Sequence, residues 1–513
     1  MAKTAPNGAA NGMAKSKMPK HVVILGAGPA GLATGHELSR SGVRVTVVEK
    51  NDFVGGLCRT LEKDGFKFDL GGHRWFTKNE DLNNWFRRLM EGEIVMVNRI
   101  SRIYHHGVFY DYPISMGNVI KQSSLFTILH AGTSYVWEKV RRFFFNTPIT
   151  NMKQAYTAQF GSKLYKMFFE QYSEKVWGSP CDELSADWVT QRSKGLSIVE
   201  VLKDALFKSK EQKFVSLIEE FMYPRDGYMR IPERMTEDIE AAGNQVLLSS
   251  KVVKVITHGP NDLEVVYETP DGKTHSQRCD EVVSTIPLGL LAHLSEPKCS
   301  AEVETAARGM VFRDLITVNM KMKRKQVTPD TWIYVQDSSI LFGRIHEPKN
   351  WSKAMVPDDE HTSLVLEIFC TAGDELWNLT DDEITERCSA DLVNTLKFVD
   401  RAEIIGADIV RTRQAYPVYD MEYQSKIDTV MAFINSMKGV HVVGRGGSFR
   451  YNNADHSIEM GLILGQKLMG ANLDHMAVNT EPEYQEIISS DETSRDRFGG
   501  PVEGVEAAAT PAE

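Results

Sequence analysis

The chain has 513 residues, 42% of them hydrophobic and 25% charged, and carries a net charge of −10. That length exceeds one simple core and implies two or three domains. The acidic balance favours neither nucleic acid nor an acidic membrane as a partner of the whole surface. The six cysteines, none in a CxxC pair, argue against a zinc site or a redox dithiol, and no apolar run is long enough to cross a bilayer.

Residues 1–20, rich in Ala, Asn, Gly and Lys, carry no signal or transit pattern. A disordered tail and a reducing, cytoplasmic compartment are therefore expected. Val22–Leu25 then reads as a short buried strand, Leu32–Ser39 as a helix stopped by Gly42, and Val43–Val48 as a second strand ending at Glu49. The most apolar window, Leu125–Val136, is interrupted by His130, Gly132 and Ser134. Met116–Phe221 is expected to be largely helical, with Phe143, Phe144, Phe145, Phe168, Phe169 and Tyr172 at helical spacing as packing residues, not a ligand box. Val252–Val255, Leu263–Tyr267 and Glu281–Thr285 read as strands, with a turn at Pro270-Asp271-Gly272. Further strands are expected at Ile316–Met322, Thr331–Val335, Ser363–Phe369 and Glu403–Arg411, and a helix at Asp381–Phe398. The tail from about Ser490 turns Gly-, Ala- and acid-rich.

Gly26-x-Gly28-x-x-Gly31 sits between the first strand and the first helix. Gly26 suits the tight turn, Gly28 the approach of a pyrophosphate, and Gly31 the packing of helix on strand. The helix start, with Pro29 and Ala30, offers free N–H groups to phosphate. Glu49 stands where a dinucleotide fold binds ribose hydroxyls. The pattern predicts an α/β fold in which a dinucleotide domain is interrupted by insertions and completed by Gly444-Arg445-Gly446-Gly447 and the helix start at Asp455-His456-Ser457.

Downstream, Gly55-Gly56-Leu57-Cys58-Arg59 resembles the second fingerprint of the amine-oxidase-type FAD superfamily, and Asp280–Pro287 resembles its late strand near the flavin. Within it, several stretches are similar to the UDP-galactopyranose mutases: Asp69-Leu70-Gly71-Gly72-His73, Lys175-Val176-Trp177, Ala186–Arg192, Trp332-Ile333-Tyr334, Phe342-Gly343-Arg344, Ala415-Tyr416-Pro417 and Gly444–Tyr451. The resemblance runs in order over about residues 20–470. It implies an FAD-binding Rossmann-like domain (21–110, 223–300 and 426–472), an inserted helical domain (111–222), an antiparallel β-sheet substrate domain (301–425) and tails at 1–20 and 473–513.

By the same resemblance, the cofactor is FAD, held by Gly26, Gly28, Pro29, Ala30, Gly31, Glu49, Lys50, Gly56, Leu57, Arg59, Gly72, His73, Val253, Gly444, Arg445, Asp455 and Ser457. The reaction interconverts pyranose and furanose forms of a nucleotide sugar, with N5 of reduced flavin as nucleophile. Arg192 and Arg344 grip the diphosphate and His73 faces the flavin, while Tyr334, Tyr416, Tyr451, Trp177 and Trp332 line the substrate. The implied partners are the nucleotide sugar and a reductant such as NAD(P)H. Neither nucleic acid nor stable membrane insertion is expected, no metal is called for, and homo-oligomers are allowed. Two alternatives stand beside this. One is an FAD oxidoreductase of the amine-oxidase or protoporphyrinogen-oxidase type acting on an apolar substrate, which needs no paired arginines. The other is a non-enzymatic flavin-binding scaffold partnering a glycosyltransferase.

Overall fold

In the computed structural model, residues 18–112, 121–192, 220–480 and 498 are described, the side chains of 190–192 excepted. The run of β-branched residues at the start forms the strand His21–Leu25, buried along its whole length. It lies inside a five-stranded parallel sheet ordered Val440–Val442, Glu281–Ser284, His21–Leu25, Arg44–Val48 and Gln245–Leu247. Such a strand is apolar throughout because helices cover both faces of a parallel sheet. One cover is the helix Pro29–Arg40, which begins immediately after the glycine turn.

The C-terminal helix Ala454–Leu468 packs on that first helix through small residues. A Cβ on Gly461 would lie 2.3 Å from the Ala30 carbonyl oxygen, and one on Gly465 2.9 Å from Glu37 Cβ. Thr34 Oγ1 donates to the Gly461 carbonyl at 3.0 Å. Residues distant in sequence are thus locked into one layer on the parallel sheet.

A second, seven-stranded sheet is ordered Ile404–Pro417, Phe312–Met322, Thr362–Cys370, Arg344–His346, Trp332–Val335, Ser101–His105 and Val108–Asp111. All its pairings are antiparallel except Trp332–Val335 with Ser101–His105. The hairpin Thr60–Lys63/Phe66–Asp69 leads from the parallel sheet to Gly71, which faces Glu367 of the mixed sheet. The fold is α/β with parallel and antiparallel sheets.

Helices Leu125–Phe145 and Met152–Tyr165 cross where Gly161 has φ +80; a Cβ there would meet the Tyr135 backbone at 2.8 Å. A π-turn, Lys166–Glu170, and the helix Gln171–Trp177 follow.

Five expectations need correction. Phe221 closes no helix: Glu220–Pro224 is a strand paired with Ile94–Asn98. The helix from Asp381 ends at Ala390 and continues as a π-turn to Thr395. The strand expected to stop at Arg411 runs to Pro417, because its long pairing with Phe312–Met322 carries it on. Phe143, Phe144 and Phe145 are not packing residues; they are 72–83% exposed. The expected tail at 473–513 contains packed residues, since His475 is buried and its Nε2 donates to the Val442 carbonyl at 3.1 Å, and Phe498 is buried. The tail expected at 1–20 lies mostly outside the described residues.

Candidate functional site

The glycine turn has the shape of a phosphate cradle. Gly26 takes φ +99, and a Cβ there would strike Thr285 Oγ1 at 2.3 Å; one on Gly31 would strike the Gly26 carbonyl at 2.3 Å. Gly28 differs, because nothing lies within 4 Å of its missing side chain. The protein leaves that space open. Gly28 is also the N-cap of the helix Pro29–Arg40 and caps it with no side chain, so an anion can satisfy the first-turn N–H groups. Gly56 comes close from the other side, its Cβ direction meeting Gly28 Cα at 3.5 Å.

Glu49 is buried and braces this turn. Its Oε2 accepts from Ala27 N at 2.8 Å and its Oε1 from Asn51 N at 2.9 Å. Lys50 beside it is exposed. Ser250 N donates to the Glu49 carbonyl at 2.7 Å, which brings the strand bearing Val253 alongside the acid. Arg59 stacks its guanidinium on Phe53 at 3.7 Å. Pro29 and Ala30 open the first helix, and Leu57 joins the apolar cluster that contains Trp177 and Tyr416.

At the other end, Gly72 presses on Trp332: a Cβ there would lie 1.6 Å from the indole. His73 follows, its Nδ1 3.0 Å from the Gly71 carbonyl. Burial first, and then the charge of Arg445, lower its pKa to about 4. The ring is therefore neutral at pH 7, with Nδ1 donating and Nε2 an acceptor. Gly444 takes φ +78, with a Cβ position 2.7 Å from Ala30 Cβ. Arg445 donates to the carbonyls of Asn452 (2.8 Å) and Ala415 (2.9 Å) and stacks on Tyr416 and Tyr451. Asp455 is buried in the first turn of the last helix, and Ser457 Oγ donates back to the Asn453 carbonyl.

The substrate-side candidates form one continuous wall. Arg344, on the strand Arg344–His346, donates from Nε to Tyr172 Oη at 2.7 Å and from Nη1 to Tyr416 Oη and Glu367 Oε2, both at 3.2 Å. Among the described residues its Nη2 has no hydrogen-bond partner. Burial opposes the guanidinium charge, but Tyr172, Tyr416 and Glu367 outweigh it and hold the pKa up. Tyr416 stacks on Tyr451 (5.7 Å), and Trp177 meets Tyr451 edge-on (5.9 Å). Tyr334 meets Tyr172 edge-on (5.7 Å), and Trp332 lies under Arg344 at 5.8 Å. Arg192 ends the short helix Asp187–Arg192, and its side chain lies outside the described residues.

Three residues that the sequence did not place in the site shape this wall. Glu367 is fully buried and joins the two ends of the site, accepting from Gly72 N (3.3 Å) and from Arg344. An acid inside the apolar strand Thr362–Cys370 was its signal, since such a group is buried only when paired. Tyr172, expected as helix packing, instead holds Arg344. Lys175 points into a ring of carbonyls from Val335, Asp337, Ile340 and Phe342, the segment just before Arg344. Burial lowers its pKa to about 8. Elsewhere, His105, His106 and Asp337 bring ligand-type atoms within 4.8 Å of one another. That carboxylate already accepts the His106 amide at 3.1 Å, as a cap on the hairpin turn.

The open space over Gly28, the uncapped helix start and the flat glycine–indole contact at Gly72 together fit a long flavin dinucleotide. FAD is the cofactor. It would lie with its diphosphate at the Gly28 turn and its ring system toward Gly72, His73 and Arg445.

Comparison with known proteins agrees. An L-amino-acid oxidase of Bungarus fasciatus is 26% identical over 335 residues, 62% of this chain and 60% of the oxidase. A phytoene desaturase of Phycomyces blakesleeanus is 55% identical over 53 residues, 10% of this chain and 9% of the desaturase. The chain thus matches less than two thirds of the length of these relatives. Its fold is that of reduced UDP-galactopyranose mutase, with a TM-score of 0.76 at 21% identity over 91% of this chain and 97% of the mutase. Residues 29–418 match the flavin containing amine oxidoreductases, and the chain belongs to that family.

Proposed function

We propose that this enzyme is a flavin-dependent mutase acting on a nucleotide-linked sugar. The observation that carries the reading is the half-buried Arg344, set among the phenols of Tyr172 and Tyr416, beside Tyr451 and one strand from Gly72. A fixed guanidinium flanked by phenols that accept its N–H groups and keep their own O–H to donate suits an anion that must be held while it is detached from a sugar. Reduced FAD would supply the nucleophilic nitrogen. The chain's own part is to detain the diphosphate and to stabilise negative charge. Arg344 would offer Nη2 to a phosphate oxygen, and Tyr416 and Tyr451 would add hydrogen bonds without adding charge. Neutral His73 would present Nε2 as an acceptor, and Arg445 with the last helix N-terminus would favour an anionic ring system. Arg192 is the proposed second diphosphate ligand.

The test is to incubate the dithionite-reduced protein with UDP-galactofuranose and separate the products by anion-exchange chromatography. Pyranose product under reduction alone is expected; its absence under both conditions sinks the reading. A second reading, an oxidase, is favoured by one contact: Glu367 already offsets the Arg344 charge at 3.2 Å, which suits a substrate less anionic than a diphosphate. Oxygen uptake with L-amino acids or apolar amines, without mutase product, would establish it.

A further inference from the structure

We propose that the helix Leu125–Phe145 docks this protein on the surface of an anionic phospholipid bilayer, lying along the interface. The helix is well formed: Ser124 Oγ accepts from Thr127 N at its start, and Asn146 ends it with φ +36. Its inner face, at Ala131 and Glu138, is buried against Met152–Tyr165. Its outer face is apolar and open. Phe126, Leu129, Trp137, Phe143, Phe144 and Phe145 are all 60–83% exposed. Leu125, Leu129, Val136, Val140 and Phe143 recur at helical spacing, so they form one stripe. A contiguous apolar face of this size on a protein surface marks a binding surface.

Charge selects the occupant. Between Lys121 and Phe169 the chain carries seven lysines and arginines against the single acid Glu138, although the whole chain is at −10. Glu138 is already held by Arg141 and Arg142, both at 2.7 Å. A second copy meeting this face across a two-fold axis would oppose its own positive charge. Anionic headgroups complement it, and Trp and Phe beside Lys and Arg is the composition of an interfacial helix. No helix among the described residues is long and apolar enough to cross a membrane, so this one lies on the surface.

The docked helix is one packing layer from the candidate site. Tyr156 and Phe160 of the helix beneath it stack on Phe169 (4.4 and 4.7 Å), and Tyr172 one turn on holds Arg344.

The experiment is flotation of the flavin-loaded full chain with vesicles of phosphatidylcholine alone and of phosphatidylcholine mixed with phosphatidylglycerol. We expect partitioning into the mixed vesicles to exceed that into neutral ones by at least about tenfold and to fall in high salt. The substitution F143S/F144S/F145S should lower it about tenfold or more while leaving the flavin spectrum unchanged. Tryptophan emission should shift to the blue on mixed vesicles, and Trp137→Phe should abolish that shift. The proposal is overturned if the parent protein stays in the aqueous fraction, or if the triple variant floats equally well. It is also overturned if ultracentrifugation without lipid shows an oligomer that the triple variant dissolves while neither protein floats.

Discussion

Arg344 shows how much of this site rests on single side chains. It sits between Tyr172, Tyr416 and Glu367, so removing it leaves a buried carboxylate unpaired as well as removing a cation. Arg344→Ala is expected to lower turnover by about a hundredfold or more, with the bound-flavin spectrum retained. Steady-state kinetics beside an absorbance spectrum checks this, and normal turnover would remove Arg344 from the mechanism. Gly28 makes the complementary case. Its side-chain direction meets no protein atom within 4 Å, so Gly28→Val should fold. It should nevertheless purify colourless, because the added methyls occupy the pyrophosphate space. A fully yellow Gly28→Val protein would place the cofactor elsewhere.

At the scale of elements, the site depends on two devices. One is the carbonyl ring around Lys175, which ties the helix Gln171–Trp177 to the segment before Arg344. Lys175→Met leaves four carbonyls without their donor, and turnover should fall about tenfold or more while flavin content is kept. Equal loss of flavin and turnover would mean that Lys175 only supports the fold. The other device is the helix contact between Pro29–Arg40 and Ala454–Leu468. Gly461→Val places carbon against the Ala30 carbonyl, already 2.3 Å from a bare Cβ. It should cost about 2 kcal/mol or more of stability, read as an earlier denaturation midpoint. An unchanged midpoint would show that the two helices can separate freely.

For the molecule as a whole, buried histidines set the acid limit. Burial lowers the pKa of His73 to about 4, of His346 to about 3 and of His475 to about 4, from an ordinary 6.5. Above pH 6.5 these rings are neutral, folded or unfolded. As pH falls below 6.5 the unfolded chain takes up protons that the folded one refuses, so stability is lost toward pH 4 at up to about 1.4 kcal/mol per unit for each ring. Asp69 opposes this: burial raises its pKa to about 6, so as pH falls below 6 the folded chain takes up a proton that the unfolded chain refuses until pH reaches the ordinary 3.8. Burial also raises the pKa of Glu37, Glu347 and Asp391 and lowers that of His21 and His105, so five rings stand against four carboxyls. The unfolding temperature should therefore drop between pH 7 and pH 5, and His346→Phe, which keeps the stack on Trp332 (5.7 Å), should lessen the drop. A flat profile would contradict the burial of these rings.

The local patterns legible in the sequence were those whose physics is local. A glycine turn between a buried strand and a helix, a second glycine pair, and an acid after the next strand each depend on a few neighbouring residues. The α/β class and the FAD cofactor followed from them. Neighbourhoods that cross sheets were not legible. Tyr172 reads as a helix-packing aromatic until the strand Arg344–His346 lies beside it, and Glu367 reads as an anomaly until Gly72 and Arg344 meet its two oxygens. The phenylalanines at 143–145 show the converse. Helical spacing marks an apolar stripe but does not say what lies opposite, and only the packed structure shows that stripe turned outward. Period and turn chemistry belong to the chain itself, whereas partners across a buried contact are chosen when separate segments close on one another.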